Sequence, residues 1–254
     1  MKFTPVADTD IGNVKATNQD SVLIRHATSD GKEVLLAVVC DGMGGLSKGE
    51  LASATVIKAF SKWFDEELPY ELENLNMQVI GSKWGLLLKE LNVKLLEYSA
   101  QHNIEGIGTT FSGILFVDNQ FVFAHVGDSR IYKIDTALKQ MTTDHTFIAR
   151  EISRGTMTPE QAKTDKRRNL LLQCIGASRV VEPEVVCGNT ETGAYMLCSD
   201  GFRHEVSEAE IHQYFDPRVL TDKSVMKRYA RHLIDTVKSR NERDNISVIL
   251  IKAE

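Results

Sequence analysis

The sequence predicts an α+β fold with antiparallel sheet at its centre, on three observations. Short runs rich in β-branched and aromatic residues recur along the chain, bounded by Gly, Asp or Asn. Two of them, 110–117 and 120–126, are joined by Asp118-Asn119 alone, a two-residue hairpin turn that pairs neighbouring strands antiparallel. Three longer segments carry apolar residues at helical spacing, the pattern of helices with one face in a core. Strands that pair directly with their neighbours in sequence exclude a parallel, Rossmann-type sheet.

In chain order, strands are expected at 21–26, 33–40, 110–117, 120–126, 130–134, 194–198 and 246–251. The helix expected at 49–68 places Ala52, Val56, Ala59, Phe60 and Trp63 on one face. That at 83–102 does the same with Trp84, Leu87, Leu88, Leu91, Leu95 and Tyr98. In the third, 222–240, Val225, Tyr229, Leu233 and Val237 recur every fourth residue. Thr158-Pro159-Glu160-Gln161 reads as a short helix start, with Thr as cap, Pro first and Gln three after the cap. Around it, 145–169 is polar and charge-rich, an excursion from the core. Neither a repeat nor a linker interrupts 1–254, so a single domain is expected.

Composition narrows the function classes. The 254 residues carry 30 Lys+Arg against 35 Asp+Glu, a net charge of −5, and 42% are hydrophobic. That apolar share excludes a disordered chain, and the acidic balance argues against a nucleic-acid scaffold. The longest apolar run, from Val34 to Cys40, falls far short of the roughly 20 residues that span a bilayer. The first ten residues lack the apolar stretch of a signal peptide. Cys40, Cys174, Cys187 and Cys198 show no CxxC spacing, which argues for reduced thiols, a cytoplasmic protein and no zinc site.

The informative residues are aspartates at the ends of apolar runs. Asn18-Gln19-Asp20 opens the first strand, and 34–40 runs into Asp41-Gly42-Met43-Gly44-Gly45. The run 120–126 ends in Gly127-Asp128-Ser129-Arg130, 194–198 leads into Ser199-Asp200-Gly201, and Asp244-Asn245 opens the last strand. Any one of these is an ordinary way to leave a strand, since Asp-Gly is a common turn pair. Together they differ, because strand ends on one sheet edge converge. Converging carboxylates repel and hold one another's protons unless a cation intervenes. Oxygen donors without His or Cys favour magnesium, manganese or calcium over zinc, and no calcium-loop spacing is present. Phosphate-loop, dinucleotide, nucleophile-elbow and HExxH motifs are all missing. His145, after Thr143-Asp144, is a candidate neighbour of the site.

In this order the motifs resemble the bacterial branch of the type 2C, metal-dependent (PPM) protein serine/threonine phosphatases. The matching stretches are Asp10-Ile11-Gly12 with Lys15, Asn18-Gln19-Asp20, Asp41-Gly42-Met43-Gly44-Gly45 and Gly108-Thr109-Thr110. Gly127-Asp128-Ser129-Arg130, Ser199-Asp200-Gly201 and Asp244-Asn245-Ile246-Ser247 follow, so the resemblance covers nearly the whole chain. It implies an α-β-β-α sandwich of two mainly antiparallel sheets flanked by helices. It also implies a hydrolase of phosphoserine and phosphothreonine monoesters, acting in signal transduction by direct attack of a water bridging two Mn2+ or Mg2+ ions. By position, Asp41 would bridge the ions and the Gly42 carbonyl would ligate one. Asp200 and Asp244 would bind the second, and Asp20 would hold a metal-bound water. Asp128 matches the position of a third, weaker ion shared with Asp200. Asn245 would support the ligands from behind, Lys15 would grip phosphate, and 145–169 would be the flap beside the site.

This chain departs from the resemblance at three positions. Lys15 stands where many members have Arg, keeping the charge but losing the bidentate fork. Gln19 replaces a ligating Glu of some members, and Met43 stands where animal members often carry a His. The resemblance further implies phosphorylated proteins as partners, made by a kinase of eukaryotic type, with no nucleic acid or membrane and a monomeric state. A silent binding module would have lost ligands, and none of the aspartates is missing. A two-metal diesterase would be expected to show His ligands and a basic track, which this chain lacks.

Overall fold

The computed structural model describes residues 1–43, 48–104, 106–168 and 170–254. Gly44 and Gly45 of the glycine-rich motif, and Asn169 at the end of the expected flap, lie outside the described residues. The chain begins with β1 (Phe3–Asp10), β2 (Ser21–Ser29), β3 (Lys32–Cys40) and the two-residue β4 (Gly42–Met43). Helices α1 (Gly49–Glu66), α2 (Leu68–Glu73) and α3 (Met77–Gln101) follow. Next come β5 (Gly108–Thr109), β6 (Phe111–Val117), β7 (Gln120–Val126), β8 (Arg130–Ile134) and β9 (Leu138–Gln140). The excursion holds α4 (Phe147–Ser153) and α5 (Pro159–Thr164), before β10 (Glu184–Asn189) and β11 (Gly193–Cys198). The chain closes with α6 (Asp200–Arg203), α7 (Glu208–Phe215), α8 (Lys223–Ser239) and β12 (Ile246–Ala253).

Two antiparallel five-stranded sheets form, in the orders β1-β12-β11-β8-β9 and β10-β7-β6-β3-β2. They pack face to face through Leu35, Ala37, Val39, Ile114, Phe116, Phe123, Tyr195, Leu197, Ile249 and Ile251. Helices α1 and α3 cover the outer face of the second sheet, where Val56, Phe60, Trp63, Trp84 and Leu88 meet Leu36, Val38 and Leu115. Across the molecule α7 and α8 cover the first sheet, Phe215, Ala230, Leu233 and Val237 meeting Met196, Val248 and Leu250. This is the expected α-β-β-α sandwich. The unbroken apolar run of β3 now has its reason. Alternate residues face the helix layer and the opposing sheet, so both sides of the strand are buried.

Register decides where the aspartates go. Ser21 opposes Cys40, and Val39 opposes Ser112, so the start of β2, the end of β3 and the start of β6 share one end of their sheet. Phe111 opposes Val126, which brings the end of β7 to the same place. In the other sheet Cys198 opposes both Val248 and Arg130, gathering the end of β11 and the starts of β12 and β8. The short link 127–129 crosses between the sheets there. Five aspartate-bearing strand ends therefore line a single edge.

Candidate functional site

Asp41 leaves β3 with its backbone fixed on both sides. Its N–H donates to Thr110 Oγ1 at 2.9 Å, and its carbonyl accepts from Thr110 N at 2.9 Å and Thr109 Oγ1 at 3.0 Å. The carboxyl is thus free to face the edge. Gly42 follows where no side chain fits: a Cβ would lie 2.4 Å from the carbonyls of both Gln19 and Gly49. Gly201 plays the same part under the opposite sheet, a Cβ there falling 2.2 Å from the Asn245 carbonyl. That close approach sets Asp200 against the Asp244 loop.

Asp20 is 8% exposed, and neither carboxylate oxygen has a hydrogen-bond partner. Asp200 Oδ1 is likewise buried and unpartnered. Burial, then the charges of Asp200 and Asp244, push the Asp20 carboxyl up to about 7 against the pull of the nearby Ser247 and Ser199 hydroxyls. Ser247 Oγ also bonds Thr9 Oγ1 at 2.8 Å, and Ser199 Oγ accepts from Ser247 N at 3.0 Å. Asp41 is pushed well above the carboxylate range by the protein around it and by Asp20, Asp200, Asp128 and Asp244. Asp128 rises to about 7 through burial and Asp200, with Arg203 and Arg130 pulling the other way. Buried anionic oxygens that repel one another and lack donors are a binding site for a cation. The donor set is all oxygen, which suits hard divalent ions such as Mg2+ or Mn2+.

Lys15 reaches this edge: its Nζ lies 2.8 Å from Asp244 Oδ1. Burial would lower its pKa, but the bond to Asp244 and the charges of Asp41 and Asp200 outweigh that and raise it. Asn245 is 2% exposed and ties the loop before β2 in place. Its Oδ1 accepts from Gln19 N at 2.9 Å, and its Nδ2 donates to Ile11 O at 2.9 Å and Thr17 O at 3.1 Å. Asp10, from the first motif, turns away from the edge into ion pairs with Arg231 at 3.0 Å and Lys238 at 2.9 Å.

Two further neighbours, His204 and Arg203, carry no sequence signal of their own, while Arg130 and His145 stand beside motifs the sequence shows. His204 stands between Asp200 (3.6 Å) and Glu242 (3.3 Å), whose other oxygen accepts from Asp244 N at 2.9 Å. Arg130 holds Asp144 with a fork of two bonds, Nε to Oδ1 at 2.8 Å and an Nη to Oδ2 at 2.6 Å. Arg203, 16% exposed, donates to the Asp128 carbonyl at 3.2 Å and lies 3.9 Å from both Asp128 Oδ2 and Asp144 Oδ2. His145 accepts from Gly127 N at 3.2 Å through Nδ1 and returns its own N–H to Gly127 O at 2.7 Å, which pins the loop before Asp128. Among the described residues, His125, His145 and Glu184 also bring ligand atoms within 4.8 Å of one another. Both ring nitrogens of His125 are already taken, by Ser112 Oγ at 2.9 Å and Gly127 O at 3.0 Å. Burial, with His145 beside it, pushes His125 down to about 3, so it is a neutral strut of the loop.

A family model described as protein phosphatase 2C matches residues 13–240. The chain is 28% identical over 249 residues to the serine/threonine phosphatase stp of Listeria monocytogenes, covering 97% of this chain and 94% of that protein. The serine/threonine phosphatase of S. agalactiae superposes with a TM-score of 0.86 at 28% identity, over 100% of both chains. The catalytic domain of the phosphatase PstP, in complex with two manganese ions, gives 0.78 at 30% identity, over 98% of this chain and 97% of that one. The chain belongs to the protein phosphatase 2C family.

Proposed function

We propose that the aspartate edge is the metal centre with which this protein serine/threonine phosphatase hydrolyses phosphoserine and phosphothreonine monoesters. The activity class follows from the family. What carries the assignment to this edge is the set of three buried carboxylate oxygens without a hydrogen-bond partner, both of Asp20 and Oδ1 of Asp200. Asp41 and the Gly42 carbonyl, with Asp200 and Asp244, are the residues that would hold two ions, and Asp20 would orient a coordinated water. Bound divalent ions supply a water of lowered pKa and positive charge against the phosphoryl oxygens. PstP with its two manganese ions favours manganese as the first ion to test.

The protein's own groups do the rest. Thr109 and Thr110 fix the Asp41 backbone, so the point from which its carboxyl projects stays in place. Asn245 holds the loop that carries Lys15 and Asp20. Lys15, kept charged by Asp244, offers an ammonium to a phosphate oxygen at the rim. Residues 145–168 border the rim as the flap, within one catalytic domain spanning 1–254. In this reading the partners are phosphoproteins made by a kinase of eukaryotic type, and the enzyme works as a cytoplasmic monomer. Among the described residues no helix is long and apolar enough to cross a membrane.

The test is hydrolysis of a phosphothreonine peptide by the purified protein with manganese, beside the diester bis-p-nitrophenyl phosphate. Phosphate release from the peptide, abolished by chelator and well above diester turnover, is the expected result. Faster diester turnover would overturn the monoester assignment.

A further inference from the structure

The position assigned by resemblance to a third ion does not look like the rest of the centre. Both oxygens of Asp20 and Oδ1 of Asp200 have no partner, whereas Asp128 has a fixed guanidinium beside it. The Arg203 guanidinium is 3.9 Å from Asp128 Oδ2 and donates to the carbonyl of the same residue at 3.2 Å. The same guanidinium lies 3.9 Å from Asp144 Oδ2, and Arg130 clasps Asp144 by two further bonds. Two aspartates and two arginines therefore close a compact cluster, with the charge of Asp200 acting on Asp128 from the metal side. Arg203 Nε is buried with no partner. A guanidinium seated with a donor unmet is held there by charge more than by hydrogen bonding. A divalent ion on Asp128 would enter beside two fixed positive groups in a poorly solvated corner, where like charges repel strongly.

We propose that Arg203 is a built-in cation that takes the place of a third divalent ion at Asp128, so that this centre is complete with two. Arg203 is a positioning residue: it holds Asp128 at the flank of the metal pair, and through Asp144 it joins that flank to the start of the flap. The inference rests on the two-ion reading of Asp41, Asp200 and Asp244.

The experiment is anomalous diffraction from crystals soaked in millimolar manganese, with equilibrium dialysis for the number bound. The wild type should show two manganese peaks, near Asp41, Asp200 and Asp244, and none on Asp128. Arg203→Gln, which removes the charge, should gain a third peak on Asp128 and bind three ions. Arg203→Lys, which keeps the charge, should stay at two. A third peak on Asp128 in the wild type overturns the proposal, and so does an Arg203→Gln protein that still binds two. The wild-type and Arg203→Lys maps decide the matter if Arg203→Gln fails to fold. No peak at Asp41, Asp200 or Asp244 would instead overturn the two-ion reading, and this proposal with it.

Discussion

A single aspartate at a strand end says little, and its neighbours decide what it does. Asp10 and Asp20 both flank strands, yet Asp10 is neutralised by Arg231 and Lys238 while Asp20 keeps two bare buried oxygens. Sequence gave no means to separate them, because the partners of Asp10 lie more than 200 residues away. Arg203 and His204 were silent for the same reason: each acts through a loop distant in the chain. Asn245 was legible through its pairing with Asp244, and its three buried bonds give it a measurable weight. Asn245→Ala strands one donor and two acceptors, so a loss of about 2–4 kcal/mol is expected. Thermal melting should then fall by roughly 10 °C; an unchanged melting temperature would contradict the role. Lys15→Ala should raise KM for a phosphothreonine peptide roughly tenfold with a smaller effect on kcat, the loss of one charge-assisted contact. Lys15→Arg should leave KM at or below the wild-type value, because the fork adds a second bond to phosphate. Steady-state kinetics of the three proteins checks both.

At the scale of elements, the buried strands of the two five-stranded sheets announced themselves, and of their edge strands β1, β2, β9 and β10 only β2 did. β3, β6, β7, β8 and β11 lie in the sheet interiors, and their ends match the apolar runs to within a residue. β1 was missed because Phe3–Asp10 contains Pro5 and polar residues, which an edge strand tolerates and a central one does not. β10 was missed likewise: it is an edge with Val185 and Val186 exposed and no alternation. Helix α3 starts at Met77, six residues before the apolar spacing suggested, because Asn76 caps it by accepting from Gln78 and Val79. The helix start at Thr158 proved correct in detail, as a capping box with Gln161. Around it the excursion is thinly held. No residue of α4 is buried and only Ala162 of α5 is, while His145, Phe147, Leu170 and Leu172 stitch its ends together. Hydrogen exchange at 147–164 should therefore be complete while the amides of β3 and β6 remain protected. Protection of α4 and α5 equal to that of β3 would show a flap packed far more firmly than this structure has it.

For the whole molecule, the net charge of −5 belongs to the protein without its ions. The sandwich gathers mutually repelling carboxylates on one edge, a local conflict of the sort that marks functional sites. The cost is visible in stability against pH. Asp20 and Asp128 titrate near 7 when folded and near 3.8 in an unfolded chain, so between those values the folded state binds more protons. Stability of the metal-free protein is then greatest below about pH 4 on this account and falls as pH rises towards 7. Ions that bind only the folded state reverse the loss. Chelated protein should melt at a lower temperature at pH 7.5 than at pH 5.5, and manganese should raise the melting temperature more at pH 7.5. Differential scanning calorimetry at the two pH values, with and without manganese, measures both.

The central claim is that the edge built by Asp20, Asp41, Asp200 and Asp244 is where phosphate monoesters are hydrolysed. Asp41 is the residue to remove, because its backbone is fixed independently of its carboxyl. The decisive measurement is phosphate release from a phosphothreonine peptide, with manganese, by wild type and by Asp41→Asn of matched melting temperature. The account predicts steady turnover by the wild type and loss of at least about a thousandfold in the variant. Equal turnover by the two proteins would contradict it.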